Sequence, residues 1–329
     1  KYEQKKISGV SHFLEHMCFK GTTLRPKPID IVKELDGIGA AYNAFTAQEM
    51  TGYFAKSDRK HFEKILDVVS DIYLHSIFPK NEIEKEKGVI VEEIKMYQDL
   101  PPRHIHEVLM AALYGEQPAG RDVAGTPETV QAVSRESLLS YRRKHYVSGA
   151  TTVVIAGAVG QKEAEEKVLR TFAAMPSGKK HGKTGVTERQ EKPKLAVKQK
   201  KTDQVHLAFG IRTCNLYHED SPALRVLSSI LGGGMSSRLF QKMREELGIC
   251  YYIGASHESF TDHGFLEITA GVPAARLPEA VSAIAGEVRR LKSDAVHAEE
   301  LLRIKEYLAG SLYLSLESSD ALAEFYGFQ

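Results

Sequence analysis

The chain has 329 residues, with 44 lysines and arginines against 43 aspartates and glutamates and a formal net charge of +1. This balance argues against a nucleic-acid-binding surface, and no apolar run reaches the roughly 20 residues of a membrane-spanning helix. The length exceeds one ordinary domain, so we expect two. The three cysteines are widely spaced, which favours reduced thiols over disulfides or a cysteine zinc cluster. They are Cys18, Cys214 and Cys250.

The first residues carry no secretory signal. The expected reduced thiols favour a cytoplasmic protein. The chain begins Lys-Tyr-Glu, without a methionine. From this start we also expect that a leader or a first strand precedes it in the full protein, and that further residues follow it.

Residues 12 to 16 read His-Phe-Leu-Glu-His. On an α-helix His12 and His16 are one turn apart on the same face, which suits a pair of zinc ligands. Glu15 lies on nearly the same face and could accept a proton from a water molecule at the metal. A histidine on an amphipathic helix is more often an ordinary core or surface residue, so the motif alone leaves that interpretation open.

Strands are predicted at residues 39–46 and 50–57, followed by an amphipathic helix at 58–75. Small residues and alternation in the first strand suit an edge strand that binds a peptide by strand addition. Asn43, Ala44 and Phe45 are the predicted substrate contacts. An ordinary core strand is an equally good interpretation.

A helix is predicted over residues 81–97, because apolar residues recur there at three- to four-residue steps. Glu86 and Glu93 fall two turns apart beside this apolar stripe. Carboxylates in such a place are costly unless a positive group lies next to them. We assign Glu93 as the third metal ligand and Glu86 as a carboxylate that orients a histidine or the water. The remaining glutamates are interpreted as a solvated face: Glu82, Glu84 and Glu92.

The second half repeats the plan of the first, after a polar segment at 179–195 that reads as a linker. It contains a predicted helix at 237–246, strands near 250–257 and 263–271, and a helix at 275–292. The predicted fold class is α+β, with two homologous domains, 1–178 and 196–329, each an antiparallel-rich sheet with helices packed on one side. Only the first domain carries the metal motif.

The inverted motif at 12–16, followed after seventy-six intervening residues by Glu93, resembles the pitrilysin/insulinase family of zinc metallopeptidases. The segments Ile-Ser-Gly-Val-Ser-His-Phe-Leu-Glu-His-Met-Cys-Phe-Lys-Gly-Thr and Gly-Gly-Gly-Met-Ser-Ser-Arg-Leu-Phe-Gln are similar to those of bacterial relatives of the mitochondrial processing peptidase beta subunit. The resemblance extends over essentially the whole chain.

The resemblance implies Zn²⁺ as cofactor and points to Arg244 and Tyr251 as the residues that hold the substrate carbonyl and the developing oxyanion. A surface ion pair of Arg244 with Glu245, and a half-buried strand position for Tyr251, are the alternatives. Relatives enclose the substrate in a chamber of four such domains. A two-domain chain is therefore expected to form a homodimer, or a heterodimer with a paralogous subunit.

The function predicted from the sequence is a zinc-dependent endopeptidase that cleaves peptides or unfolded polypeptides, with Glu15 as general base. The expected partners are the peptide substrate and a second subunit, with no nucleic acid and no membrane. The alternative is a non-catalytic structural or substrate-binding subunit of a processing-peptidase-like complex. Such subunits typically lose the zinc ligands, whereas here all the ligand positions and Glu15 are present.

Overall fold

A computed structural model describes residues 1–327 of the chain. The described residues form two compact units, each made of more than one segment. The first unit contains residues 1–96, 122–184 and 315–327, and the second contains residues 97–121 and 185–314. The units are defined by contacts and not by continuity along the chain, so the boundaries predicted at residues 178 and 195 stay a prediction.

Helices make up most of the regular structure. In chain order the α-helices are α1 (Val10–Cys18), α2 (Pro28–Asp36), α3 (Phe62–Leu74), α4 (Lys80–Gln98), α5 (Pro101–Tyr114), α6 (Pro127–Gln131), α7 (Arg135–His145), α8 (Gln161–Thr171), α9 (Ser221–Gly232), α10 (Arg238–Phe240), α11 (Leu277–Ser293), α12 (Ala298–Ser315) and α13 (Ser319–Gly327). A π-helical turn, Gln241–Glu246, continues α10. Short 3-10 helices occur at Lys5–Ile7, Arg59–His61, Pro118–Gly120 and Ala274–Arg276. No helix in the described part of the chain is long and apolar enough to cross a lipid bilayer.

Each unit contains an antiparallel sheet. In the first unit β1 (Ala41–Thr46) pairs with β2 (Thr51–Lys56), where the sequence predicted two strands. In the second unit β5 (Gly264–Val272) lies between β3 (Val205–Thr213) and β4 (Tyr252–Ser259). The predicted α+β class is confirmed, since each unit combines helices with an antiparallel sheet.

The core of the first unit surrounds α1. Its apolar face is fully buried and packs with the apolar stripe of α4. The backbone at Gly9, just before α1, has φ +93°, and a Cβ there would lie 2.4 Å from the carbonyl oxygen of Ala124. Glycine is therefore required at this turn. The carboxylate of Glu3 accepts from the backbone N–H groups of Gly9 and Ser11 and so caps the start of the helix.

The sheet of the second unit packs its apolar face against α9 and α11, through β5 residues such as Ile268 and Ala270. Helix α5 lies on the opposite face, where a Cβ on Gly210 would meet the side chain of Leu109 at 2.7 Å. The absence of a side chain at Gly210 therefore allows α5 to approach β3 closely. The sequence prediction located β4, β5 and α11 but did not include β3.

Candidate metal centre

Two helices of the first unit bring together the three predicted metal ligands. Nε2 of His12 is 3.7 Å and Nε2 of His16 is 3.5 Å from the same carboxylate oxygen, Oε2 of Glu93. The histidines lie one turn apart on α1, and Glu93 projects from α4. Among the described residues these three form the group whose ligand atoms all lie within 4.8 Å of one another.

The donor set and its spacing fit Zn²⁺. A tetrahedral zinc site with bonds of about 2.0–2.2 Å places its ligand atoms about 3.3–3.6 Å apart. The two distances between imidazole nitrogens and the Glu93 carboxylate are close to this range. Two histidines and one glutamate, with a fourth position left for water, are also a known catalytic zinc set. His12, His16 and Glu93 are therefore the residues that would hold the ion.

The electrostatics of His12 favour the neutral ring that a metal requires. Burial, reinforced by the neighbouring His16, lowers the pKa of His12 to about 4, although Glu93 acts in the opposite direction. At neutral pH the ring is uncharged and can ligate without first losing a proton. Its other nitrogen, Nδ1, is buried and has no hydrogen-bond partner among the described residues.

Glu86 lies beside the centre and contacts two groups. Its Oε1 is 2.9 Å from Nδ1 of His16, and its Oε2 is 2.7 Å from Nζ of Lys20. The residue is only 3% exposed. Burial by itself would raise the pKa of Glu86, but the hydrogen bonds with His16 and Lys20 outweigh burial and lower it. Glu86 is therefore ionised and holds the ring of His16 from the side opposite Glu93.

Glu15 is buried next to the ligands, with 8% of its surface exposed. Its Oε2 accepts a short hydrogen bond from the hydroxyl of Thr46, the last residue of β1. Burial raises the pKa of Glu15, and the Thr46 hydrogen bond partly offsets this effect. A carboxylate with a raised pKa beside a metal site is suited to accept and return a proton.

The other glutamates of α4 point away from the centre. Each forms an ion pair with a lysine three residues further along the helix, and the Glu92 side chain is 72% exposed. Glu92 and Glu93 are adjacent in sequence but lie on different faces of α4. The pairs are Glu82 with Lys85, Glu84 with Lys87, and Glu92 with Lys95.

The predicted substrate contacts lie on β1, which pairs only with β2 among the described strands. Asn43 is exposed, whereas Ala44 and Phe45 are half-buried. The ring of Phe45 covers Gly52 on β2, where a Cβ would meet it at 2.5 Å. The side-chain oxygen of Asn43 accepts from the backbone N–H of Ala44 at 2.9 Å.

In the second unit Arg244 and Tyr251 contact each other. The Arg244 guanidinium donates to the backbone oxygens of Cys250 and Tyr251 and lies 5.6 Å from the centre of the Tyr251 ring. Arg244 belongs to the π-helical turn, a feature that often occurs at functional sites. Tyr251 is 75% exposed and precedes β4, so a half-buried strand position for it was wrong.

Sequence reasoning missed two contacts of the site, those of Lys20 and Thr46. Lys20 follows His16 by four residues but lies beyond the end of α1, so helical spacing does not predict its contact with Glu86. Thr46 ends a predicted strand, but its pairing with Glu15 joins residues 31 positions apart and has no local signal.

The fold and the ligand cluster are those of a peptidase-family protein, and two family descriptions match the chain. Residues 1–127 match the family described as "Insulinase (Peptidase family M16)", and residues 132–308 match "Peptidase M16 inactive domain". The chain belongs to peptidase family M16.

Two relatives that are more than 30% identical to this chain are named zinc proteases. An uncharacterized zinc protease of Bacillus subtilis is 37% identical over 321 residues, which cover 98% of this chain and 78% of the relative. One of Rickettsia felis is 33% identical, over 96% of this chain and 76% of the relative. The structure of a Helicobacter pylori protease superposes with a TM-score of 0.91 at 22% identity, over 98% of this chain and 79% of that one, which supports the fold.

Proposed function

We propose that the protein is a zinc-dependent endopeptidase that cleaves peptides or unfolded polypeptides. The observation that carries the proposal is the convergence of His12, His16 and Glu93 beside the buried carboxylate of Glu15. Three N/O donors with an adjacent base are the arrangement that hydrolytic zinc enzymes require. The zinc protease names of the relatives support the same cofactor.

The residues of the site have separate tasks in this proposal. A bound zinc ion would supply Lewis-acid activation of the water and of the scissile carbonyl. Glu15 takes the proton of the attacking water and then delivers it to the departing amine. Thr46 fixes the Glu15 carboxylate, and Glu86 fixes the ring of His16. Thr46 and Glu86 thus orient the two groups that act, the Glu15 carboxylate and the His16 ring.

An extended substrate would pair with the outer edge of β1. The backbone N–H of Ala47 donates to the carbonyl oxygen of Met50, so Ala47 and Met50 form a hydrogen-bonded pair of the ladder. Hydrogen-bonded and non-hydrogen-bonded pairs alternate along an antiparallel ladder, so the N–H and C=O groups of Ala44 and Thr46 point away from β2. A peptide strand could bond to these groups. It would displace the Asn43 side chain from the N–H of Ala44. Because Thr46 contacts Glu15, a peptide on this edge would pass beside the base.

The roles of Arg244 and Tyr251 come from the family resemblance. Both are exposed donors held together, as a group that stabilises an oxyanion must be. We propose that the active form is a homodimer, or a heterodimer with a paralogue, and that these two residues serve the metal centre of the partner subunit.

A non-catalytic subunit is the alternative. The region 132–308 matches the inactive-domain family, but every metal donor lies in residues 1–127, which match the insulinase family.

The proposal is tested by measuring zinc and cleavage on the same sample. Inductively coupled plasma mass spectrometry should find about one zinc per chain in protein purified without added metal. Mass spectrometry of a mixed peptide library should show cleavage that a chelator abolishes and added zinc restores. Stoichiometric zinc without cleavage would favour the non-catalytic subunit, and absence of zinc would reject the proposed centre.

A further inference from the structure

Lys20 lies just beyond the end of α1 and reaches the carboxylate that holds His16. Its Nζ is 2.7 Å from Oε2 of Glu86, and the other oxygen of Glu86 is 2.9 Å from Nδ1 of His16. The Glu86 side chain is 4% exposed and that of Lys20 is 25% exposed. One buried carboxylate therefore binds an ammonium group on one oxygen and an imidazole on the other.

We propose that Lys20 is a positioning residue of the metal centre. Acting through Glu86, it holds His16 with the proton on Nδ1, so that the lone pair of Nε2 faces Glu93. This inference rests on the proposed metal site, because Nε2 of His16 is one of its donors. Lys20 does not itself contact a ligand atom in this arrangement.

Lys20 can orient His16 because the Glu86 carboxylate between them is buried. Each oxygen of a buried carboxylate requires a donor, and the ammonium group supplies one together with a compensating charge. A neutral imidazole can carry its proton on either nitrogen, and the hydrogen bond made by one nitrogen decides which. Without Lys20, the carboxylate of Glu86 would lack a donor for Oε2 and would be free to turn. The hydrogen bond that selects the Nδ1–H form of His16 would then weaken.

The ion pairs on the outer face of α4 provide a contrast. Lys85 pairs with Glu82 at 2.7 Å, the same distance as in the pair of Lys20 and Glu86. The Lys85 side chain is 67% exposed, and among the described residues its pair contacts no histidine. Lys85→Met therefore removes a lysine–glutamate pair of equal length without changing the metal centre, and it is the matched control.

The first experiment measures the zinc dissociation constant by competition with a chromophoric chelator. Lys20→Met, which keeps most of the apolar stem, should weaken zinc binding by about 10- to 100-fold, the usual cost of losing a group that orders a ligand. Lys20→Arg should restore most of the affinity, and Lys85→Met should match the parent. In a Glu86→Gln background, Lys20→Met should cost nothing further, since the two residues act as one unit. The proposal would be overturned if Lys20→Met bound zinc as tightly as the parent. It would also be overturned if Lys20→Met weakened zinc binding as much in the Glu86→Gln background as in the parent.

A second measurement does not depend on bound metal. Nitrogen-15 chemical shifts of the His16 ring in metal-free protein, at a pH where the imidazole is neutral, report which nitrogen carries the proton. The parent, Lys20→Arg and Lys85→Met should show the Nδ1–H form, and Lys20→Met should show a mixture of the two forms. If the His16 ring of Lys20→Met kept the Nδ1–H form alone, the role of Lys20 would be refuted. Failure of the parent to bind zinc would refute the proposed function, and the ring measurement would still decide the role of Lys20.

Discussion

The hydroxyl of Thr46 donates a hydrogen bond to the carboxylate of Glu15, so the last residue of strand β1 contacts the proposed general base. The same hydroxyl lies 3.3 Å from that of Thr51, its cross-strand neighbour on β2. The edge that would bind a peptide and the group that would act on it are therefore joined by one side chain.

Replacing Thr46 by valine should lower kcat/KM while zinc content stays at the parental level. Valine keeps the β-branched shape but removes the donor, and the loss of a hydrogen bond to a charged group corresponds to roughly a tenfold decrease or more. Thr46→Ser keeps a hydroxyl and should retain most of the activity. Steady-state kinetics on one fluorogenic peptide compares the three proteins. Equal kcat/KM in Thr46→Val and the parent would separate Thr46 from the base.

Substitutions on α4 should distinguish the ligand from the residues around it. Glu93→Gln should lose zinc, because an amide is a poor substitute for an anionic ligand. Glu86→Gln should keep a bindable site with affinity or activity weakened by about 10- to 100-fold. Glu92→Gln is the matched control, since Glu92 lies on the solvent face of α4 and pairs with Lys95. Zinc affinity measured by chelator competition tests all three, and parental affinity in Glu93→Gln would exclude Glu93 as the ligand.

Acid stability should depend on Glu34, away from the metal centre. Hydrogen bonds from Arg25 lower the pKa of Glu34 from its ordinary 4.5 to about 2, with Lys64 contributing. Because the folded pKa is below the unfolded one, this stabilisation is present above pH 4.5 and is lost as the pH falls toward 2. The Tm gap between the parent and Glu34→Gln should therefore shrink over that window. Glu84→Gln, on the exposed face of α4, is the control, and a pH-independent gap for Glu34→Gln would contradict the prediction.

The quaternary proposal predicts complementation between two inactive variants. If Arg244 serves the partner's metal centre, Arg244→Ala and Glu15→Gln chains should each be inactive alone and active when mixed. About half of randomly reassorted dimers are mixed, and each has one intact site of two, so recovery should approach about a quarter of wild-type activity. Native mass spectrometry verifies subunit exchange. No recovery after verified exchange would mean that Arg244 acts within its own chain or takes no part.

Much of the site could be predicted because its main signals are local. The spacing of His12 and His16 requires only one helical turn, and the carboxylate of Glu93 stands out beside an apolar stripe. Alternation and turn residues also located β1, β2, β4 and β5. These features depend on neighbours within a few residues, where sequence patterns carry most information.

The rest depends on long-range contacts or on local departures from ideal helices. The predicted helix at 237–246 is split into α10 and a π-helical turn, and periodicity does not distinguish i→i+5 from i→i+4 bonding. Strand β3 begins directly after an exposed segment, and the sequence pattern did not predict it. The contacts of Thr46 with Glu15 and of Lys20 with Glu86 join residues 31 and 66 positions apart in sequence. Only the folded structure brings such pairs together.

If Glu15 is the general base of a zinc-dependent peptidase, removing its ability to accept a proton should stop cleavage and leave the metal bound. The parent and Glu15→Gln are each assayed for bound zinc and for cleavage of the mixed peptide library. Glutamine keeps the size of the side chain but cannot accept the proton. We predict that Glu15→Gln retains about one zinc per chain while its cleavage rate falls by roughly 100-fold or more. Near-parental cleavage by zinc-loaded Glu15→Gln would mean that Glu15 is not the general base.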